Sequence, residues 1–224
     1  MSEDGIKLLD CVEIEPKNTA TASVIWLHGL GANGHDFEPV VPHLGIAEDL
    51  AVRFVFPHAP SIPVTINNGV EMPAWYDILE MNLERQIDEA QLRASADAVV
   101  SLIKRENERG VESSRIIIAG FSQGGAVAFE LALSYPERLA GLIALSTYFA
   151  TRNTVALSSA NADLPAFIGH GKADPMVPES FGAASFSHLT EMGYPVEYHT
   201  YPLEHGVDLD EIKDIGVWIN ARLG

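Results

Sequence analysis

Three consecutive isoleucines, Ile116-Ile117-Ile118, run through Ala119 into Gly120-Phe121-Ser122-Gln123-Gly124 and on into Gly125-Ala126-Val127-Ala128-Phe129. The first part is a β-branched apolar run suited to a strand covered on both faces, and the last has helical composition, so a sharp strand-to-helix turn falls at Ser122. A serine on such a turn sits in a strained backbone. The chain can pass close to itself there only if the residues two before and two after carry almost no side chain, and Gly120 and Gly124 meet that need. With 18 glycines in 224 residues the G-x-S-x-G spacing arises easily by chance, so the strand before it and the helix after it are what give it meaning.

The rest of the chain repeats the same alternation. Short apolar runs bounded by turn residues predict strands at residues 7–14, 23–28, 52–57, 115–119, 139–145, 166–170 and 196–201. Stretches of helical period predict helices at 37–43, 86–109, 124–134, 179–192 and 209–222. This is the pattern of a mainly parallel sheet with crossover helices on both faces, and the first strand, polar at alternate positions, reads as an antiparallel edge. In the second helix Ile87, Ala90, Ala94, Ala98, Val99, Leu102 and Ile103 mark one buried stripe, with the charged residues opposite as solvated surface. The periodicity fails at residues 59–83 and 146–164, and irregular stretches of that length in a compact domain are more often functional loops than linkers. Neither a repeat nor a linker interrupts the chain, so residues 1–224 are expected to form one domain.

Charge narrows the range of functions. Fourteen Lys and Arg stand against 31 Asp and Glu, a net charge of −17. Such a polyanion repels phosphate backbones and anionic lipid surfaces, and the sequence has no basic patch to offset this, so neither nucleic acid nor a stable membrane anchor is expected. Cys11 is the one cysteine, which excludes an intrachain disulfide. The acidic start MSEDGIKLLDCVEIEP lacks the basic and apolar regions of a signal peptide, and the expected location is cytoplasmic.

A serine hydroxyl needs a base to become a nucleophile at neutral pH, and the base needs an orienting carboxylate. Asp174, in Gly171-Lys172-Ala173-Asp174-Pro175-Met176-Val177-Pro178, follows the strand at 166–170. His205, in Leu203-Glu204-His205-Gly206, follows the strand at 196–201 and precedes the last helix. Both therefore lie at the sheet edge that carries Ser122, the edge where open α/β sheets bind ligands. The rivals are placed less well. His170 and His199 fall within strands, Asp163 precedes its strand, and Asp208 and Asp210 suit the first turn of the last helix, where carboxylates complement the dipole.

Acyl transfer also needs two backbone donors for the developing oxyanion, one from the residue after the nucleophile and one from an early loop. Gln123 and Leu30 are the candidates, the latter in Trp26-Leu27-His28-Gly29-Leu30-Gly31-Ala32-Asn33-Gly34. That loop is not a phosphate cradle, because no Lys-Ser/Thr follows and the G-x-G-x-x-G spacing is missing. His28, His35 and His43 lack metal-ligand spacing, so no metal is expected.

The sequence resembles the phospholipase/carboxylesterase family of α/β hydrolases, which includes bacterial carboxylesterases and acyl-protein thioesterases. The resemblance rests on Val24 to Gly31, Phe54 to Pro60, Met72 to Asp77, Ala119 to Gly125, His170-Gly171 with Asp174-Pro175 and Val177-Pro178, and His205 before Glu211-Ile212. It implies the α/β-hydrolase fold, a Ser122, Asp174, His205 triad, an oxyanion hole at Leu30 and Gln123, no cofactor, and pairing as a homodimer near the mouth of the site. The loop from Pro63 to Asp77 would flank an acyl groove, with Trp75 in its wall and Ile66, Met72, Met176 and Val177 among the substrate-binding residues. An exposed apolar loop around Trp75 would give a reason to dimerise. The small and medium apolar residues of that loop lead to a carboxylesterase acting on small to medium acyl esters as the first reading. An acyl-protein thioesterase or lysophospholipase is the second, and a catalytically dead fold used as a binding module is the remote third. Where the family carries Ser or Thr after the histidine, this chain has Gly206-Val207-Asp208.

Overall fold

A computed structural model describes residues 8–80 and 86–224. Lys7, the expected start of the first strand, and residues 81–83, the end of the first expected loop, lie outside them. The main sheet holds β1 (Cys11–Ile14), β2 (Ala22–Leu27), β3 (Val52–Pro57), β6 (Ile116–Phe121), β7 (Gly141–Leu145), β8 (Ala166–Gly171) and β9 (Val196–Tyr201). Their order is β1-β3-β2-β6-β7-β8-β9, with β1 antiparallel to β3 and every other pair parallel. Together with the helices this is the α/β-hydrolase fold.

The helices are α1 (Glu89–Glu108), α2 (Gln123–Ser134), α3 (Glu179–Glu191) and α4 (Leu209–Leu223). Successive strand residues point to opposite faces, and both faces are covered. Ile25, Leu27, Ile116 and Ile118 pack with α1 and α2 residues such as Leu102 and Phe129. Val24, Trp26, Ile117 and Ala119 pack with Ile215, Trp218 and Ile219 of α4 and with Phe37 and Leu44, which bracket a short 3-10 helix at Glu38–His43. Double coverage is why β2, β3 and β6 read as continuous apolar runs rather than alternating ones.

Two expectations change. The stretch from residue 59 is not wholly irregular, because β4 (Ser61–Val64) and β5 (Val70–Pro73) pair as a hairpin. Its turn places Asn68 at φ 56° and Gly69 at φ 73°, and an Asn-Gly pair between apolar residues is the sequence signal for it. The buried stripe of α1 is Leu92, Ser95, Ala96, Val99, Leu102, Ile103 and Glu106, while Ala90 and Ala94 are exposed. Alanine tolerates either environment, so the larger side chains set the phase. Glu106, expected on a solvated face, is fully buried because Ser23 and Arg53 donate to it at 2.6 and 2.7 Å and Arg109 at 2.9 Å.

Among the described residues no helix is long and apolar enough to cross a membrane.

Candidate active site

Ser122 sits between β6 and α2 at φ 53° and ψ −119°, a backbone conformation that L-residues rarely adopt. The turn is held by the Ser122 N–H donating to the Leu145 carbonyl at 2.9 Å. The Thr147 hydroxyl donates to the Ser122 carbonyl at 2.6 Å. A Cβ on Gly120 would lie 2.3 Å from the Gly124 carbonyl oxygen, and one on Gly124 would lie 2.5 Å from that of His28. Both glycines are therefore sterically required, for the reason the motif suggests.

Asp174 and His205 follow the C-terminal ends of β8 and β9, and the three side chains meet at that edge. The Ser122 hydroxyl lies 3.0 Å from His205 Nε2, and His205 Nδ1 lies 2.7 Å from Asp174 Oδ2. Asp174 Oδ1 accepts from the backbone N–H groups of Met176 and Val177, each at 2.8 Å. With Oδ1 held, Oδ2 faces the imidazole. The carboxylate is fully buried and the imidazole about one-fifth exposed, which leaves the base accessible and its orienting partner shielded. Phe121 packs on the imidazole with ring centroids 4.8 Å apart.

A cavity of about 200 Å³ opens over Ser122. Its lining includes Leu30, Gln123, Ile66, Met176, Val177 and His205, with Tyr76, Ile78, Tyr148 and Asp36 completing the wall. Leu30 and Gln123 thus line the same cavity as Ser122. Ile66, Met176 and Val177 are cavity residues, but Trp75 and Met72 are not. Trp75 is 1% exposed, its indole N–H donating to the His28 carbonyl at 2.8 Å. Met72 lies behind the glycine loop, its sulfur accepting from Asn67 Nδ2 at 3.2 Å. The position expected for Trp75 is therefore corrected: an aromatic ring with a polar edge was better satisfied by a buried carbonyl than by a groove wall. The exposed apolar surface beside Trp75 in the chain is instead that of Val70 and Leu79.

The rival residues do other work. Asp208 caps α4 by accepting from the N–H groups of Asp210 and Glu211, Asp163 pairs with Arg138, and His199 stacks on Phe167. His170 is buried beside Asp174.

Two supporting side-chain roles escaped sequence reasoning. The Gln123 side chain accepts from the Trp75 N–H at 2.8 Å and donates to the Tyr76 carbonyl at 2.6 Å. His28 donates from Nδ1 to the Gly29 carbonyl at 2.7 Å and accepts at Nε2 from the Ala59 N–H at 3.1 Å. Burial holds the His28 pKa below the usual histidine range, in keeping with a neutral ring that both donates and accepts. The signal for His28 was a polar residue closing the apolar run Val24 to Leu27; Gln123 had no such local signal. Among the described residues no group of His, Cys, Asp and Glu could hold a metal ion.

The model of the phospholipase/carboxylesterase family matches residues 9–223. Acyl-protein thioesterase 1 of Neurospora crassa is 40% identical over 214 residues, covering 91% of this chain and 87% of that protein. The crystal structure of Arabidopsis thaliana SOBER1 superposes with a TM-score of 0.83 at 32% identity, covering 91% of this chain and 99% of that one. Zea mays acyl-protein thioesterase 2 gives 0.82 at 27% identity, covering 96% and 99%.

Proposed function

The chain belongs to the phospholipase/carboxylesterase family and is a hydrolase, and from that premise we propose that Ser122, His205 and Asp174 hydrolyse acyl esters and thioesters through an acyl-enzyme. The observation that carries this is the unbroken relay from the Ser122 hydroxyl to His205 at 3.0 Å and from His205 to Asp174 at 2.7 Å. Ser122 Oγ attacks the carbonyl carbon while its proton passes to His205 Nε2. Asp174 holds the Nδ1–H tautomer and offsets the charge of the imidazolium. The backbone N–H groups of Leu30 and Gln123 bind the oxyanion. Collapse expels the alcohol or thiol, which takes the proton from His205. Water then repeats the sequence on the acyl-enzyme and releases the carboxylic acid.

For the substrate, the named relatives favour a thioester, part of the second of the three sequence readings. The apolar cavity over Ser122, about 200 Å³, lies below the ~300–1,000 Å³ of typical ligand clefts, and this supports the reading that small to medium acyl groups are accepted. We take the activity to cover both leaving groups on short and medium chains, carried by one domain without a cofactor.

Replacing Ser122 by Ala should remove hydrolysis of p-nitrophenyl esters and labelling by a fluorophosphonate probe, while leaving the circular dichroism spectrum unchanged. Activity retained at the wild-type level would overturn the assignment. A chain-length series of esters against thioesters measures the preference directly.

A further inference from the structure

His170 lies on β8 four residues before Asp174 and is completely buried. Its Nε2 is 2.8 Å from the Val177 carbonyl oxygen and 3.7 Å from Asp174 Oδ2. A carbonyl can only accept, so Nε2 carries the hydrogen and donates it. Nδ1 has no hydrogen-bond partner, and it packs against Gly182 of α3 so closely that a Cβ there would lie 2.3 Å from it. The ring is therefore fixed as the neutral Nε2–H tautomer in a slot shaped by a glycine in the body of a helix. Burial, the largest influence, and His205 push its pKa down, against the opposing effects of the Val177 hydrogen bond, Asp174 and Glu179.

Val177 is the link to chemistry. Its carbonyl, in the peptide bond to Pro178, is held by His170, while its N–H, in the peptide bond from Met176, donates to Asp174 Oδ1. The two peptide planes that flank this one residue thus join the β8 histidine to the carboxylate that orients His205.

The geometry points to His170 as a positioning residue that, by anchoring the Val177 carbonyl, fixes the rotation of the Asp174 carboxylate and hence the hydrogen bond from Asp174 Oδ2 to His205. This assignment rests on the roles proposed above for Ser122, His205 and Asp174. Without the anchor, the loop carrying Asp174 rotates more freely and the imidazolium loses part of its support.

The test is a set of variants assayed with a p-nitrophenyl ester. His170→Leu should lower kcat by about 10–100-fold, the loss seen when the partner that orients a metal-bound histidine is removed and the scale of a small misplacement at an active site, with KM changed little. The acidic limb of its kcat/KM profile should move to lower pH, because a weakened Asp174 contact favours neutral His205. His170→Gln keeps an N–H donor and should restore most of the rate and the limb. In an Asp174→Asn background the His170→Leu effect should nearly vanish, since there is no carboxylate left to orient. An equal loss in both backgrounds, or a limb that stays in place, overturns the positioning role and leaves a packing role. Wild-type activity in Asp174→Asn alone overturns the reading of the site itself. Should His170→Leu fail to fold, nitrogen-15 NMR of the histidines in the wild-type protein decides. His170 should remain the neutral Nε2–H tautomer across the pH range of the activity profile, with its Nε2–H resonance following the limb of that profile. A proton on Nδ1, or a resonance indifferent to that limb, overturns the proposal.

Discussion

The side chain of Gln123 is 3% exposed and spans two backbone groups of the segment after the β4–β5 hairpin. Truncation to Ala would remove the acceptor of the Trp75 N–H and the side-chain donor to the Tyr76 carbonyl, each lost buried hydrogen bond costing about 1–3 kcal/mol. Gln123→Ala should therefore lower the unfolding free energy by about 2–4 kcal/mol in urea titrations. It should also lower kcat/KM by about tenfold or more, because Tyr76 lines the cavity and Trp75 supports the His28 carbonyl at the start of the glycine loop. Ser122, by contrast, was legible from sequence, because the two glycines and the flanking strand and helix are local features. The clamp made by Gln123 joins residues 48 positions apart, and no local pattern announces it.

At the scale of elements, α4 carries an unusual burden. Glu211 in its first turn is fully buried, both carboxyl oxygens lack a hydrogen-bond partner, and Oε1 lies where a Cβ on Gly169 of β8 would come within 2.2 Å. Burial, reinforced by the charges of Asp208 and Asp214, pushes its pKa up from 4.5 to about 8. A group whose folded pKa is raised keeps its full contribution below the unfolded value, and stability falls as pH rises from there through the folded pKa. Between about pH 4.5 and pH 8 this carboxyl should remove on the order of 3–5 kcal/mol. Glu211→Gln should flatten that part of the stability profile and raise the melting temperature at pH 9 far more than at pH 5. An unchanged difference between the two pH values would contradict it. The sequence places Glu211 correctly in the first helical turn, where an acid complements the dipole, but a helix period alone does not say that this face meets β8.

Over the whole molecule, the surplus of 17 negative charges and the buried ion pairs respond to salt in opposite degrees. Glu106, with Arg53, Arg109 and Ser23, ties α1 to β2 and β3 beneath the surface, and Glu13 and Glu15 extend the network to the edge of β1. Buried pairs are weakly screened, whereas repulsion among exposed carboxylates fades once the Debye length falls below about 10 Å. Raising NaCl from about 0.01 M to about 0.5 M should therefore increase the melting temperature by a few degrees, roughly 2–5 °C. A melting temperature that falls with salt would mean that exposed ion pairs outweigh the repulsion. The amino-acid sequence by itself determined the alternation of strands and helices, the antiparallel first strand, the turn at Ser122 and the acid and histidine that follow later strands. These rest on side-chain period, glycine sterics and chain order, which act over a few residues. Only the tertiary structure decided that Trp75 lies in the core instead of the groove, that Glu106 is paired and Glu211 is not, and that His170 reaches the Val177 carbonyl beside Asp174. Each of those depends on which faces of distant elements meet, and that is fixed by packing the whole sheet and its helices at once.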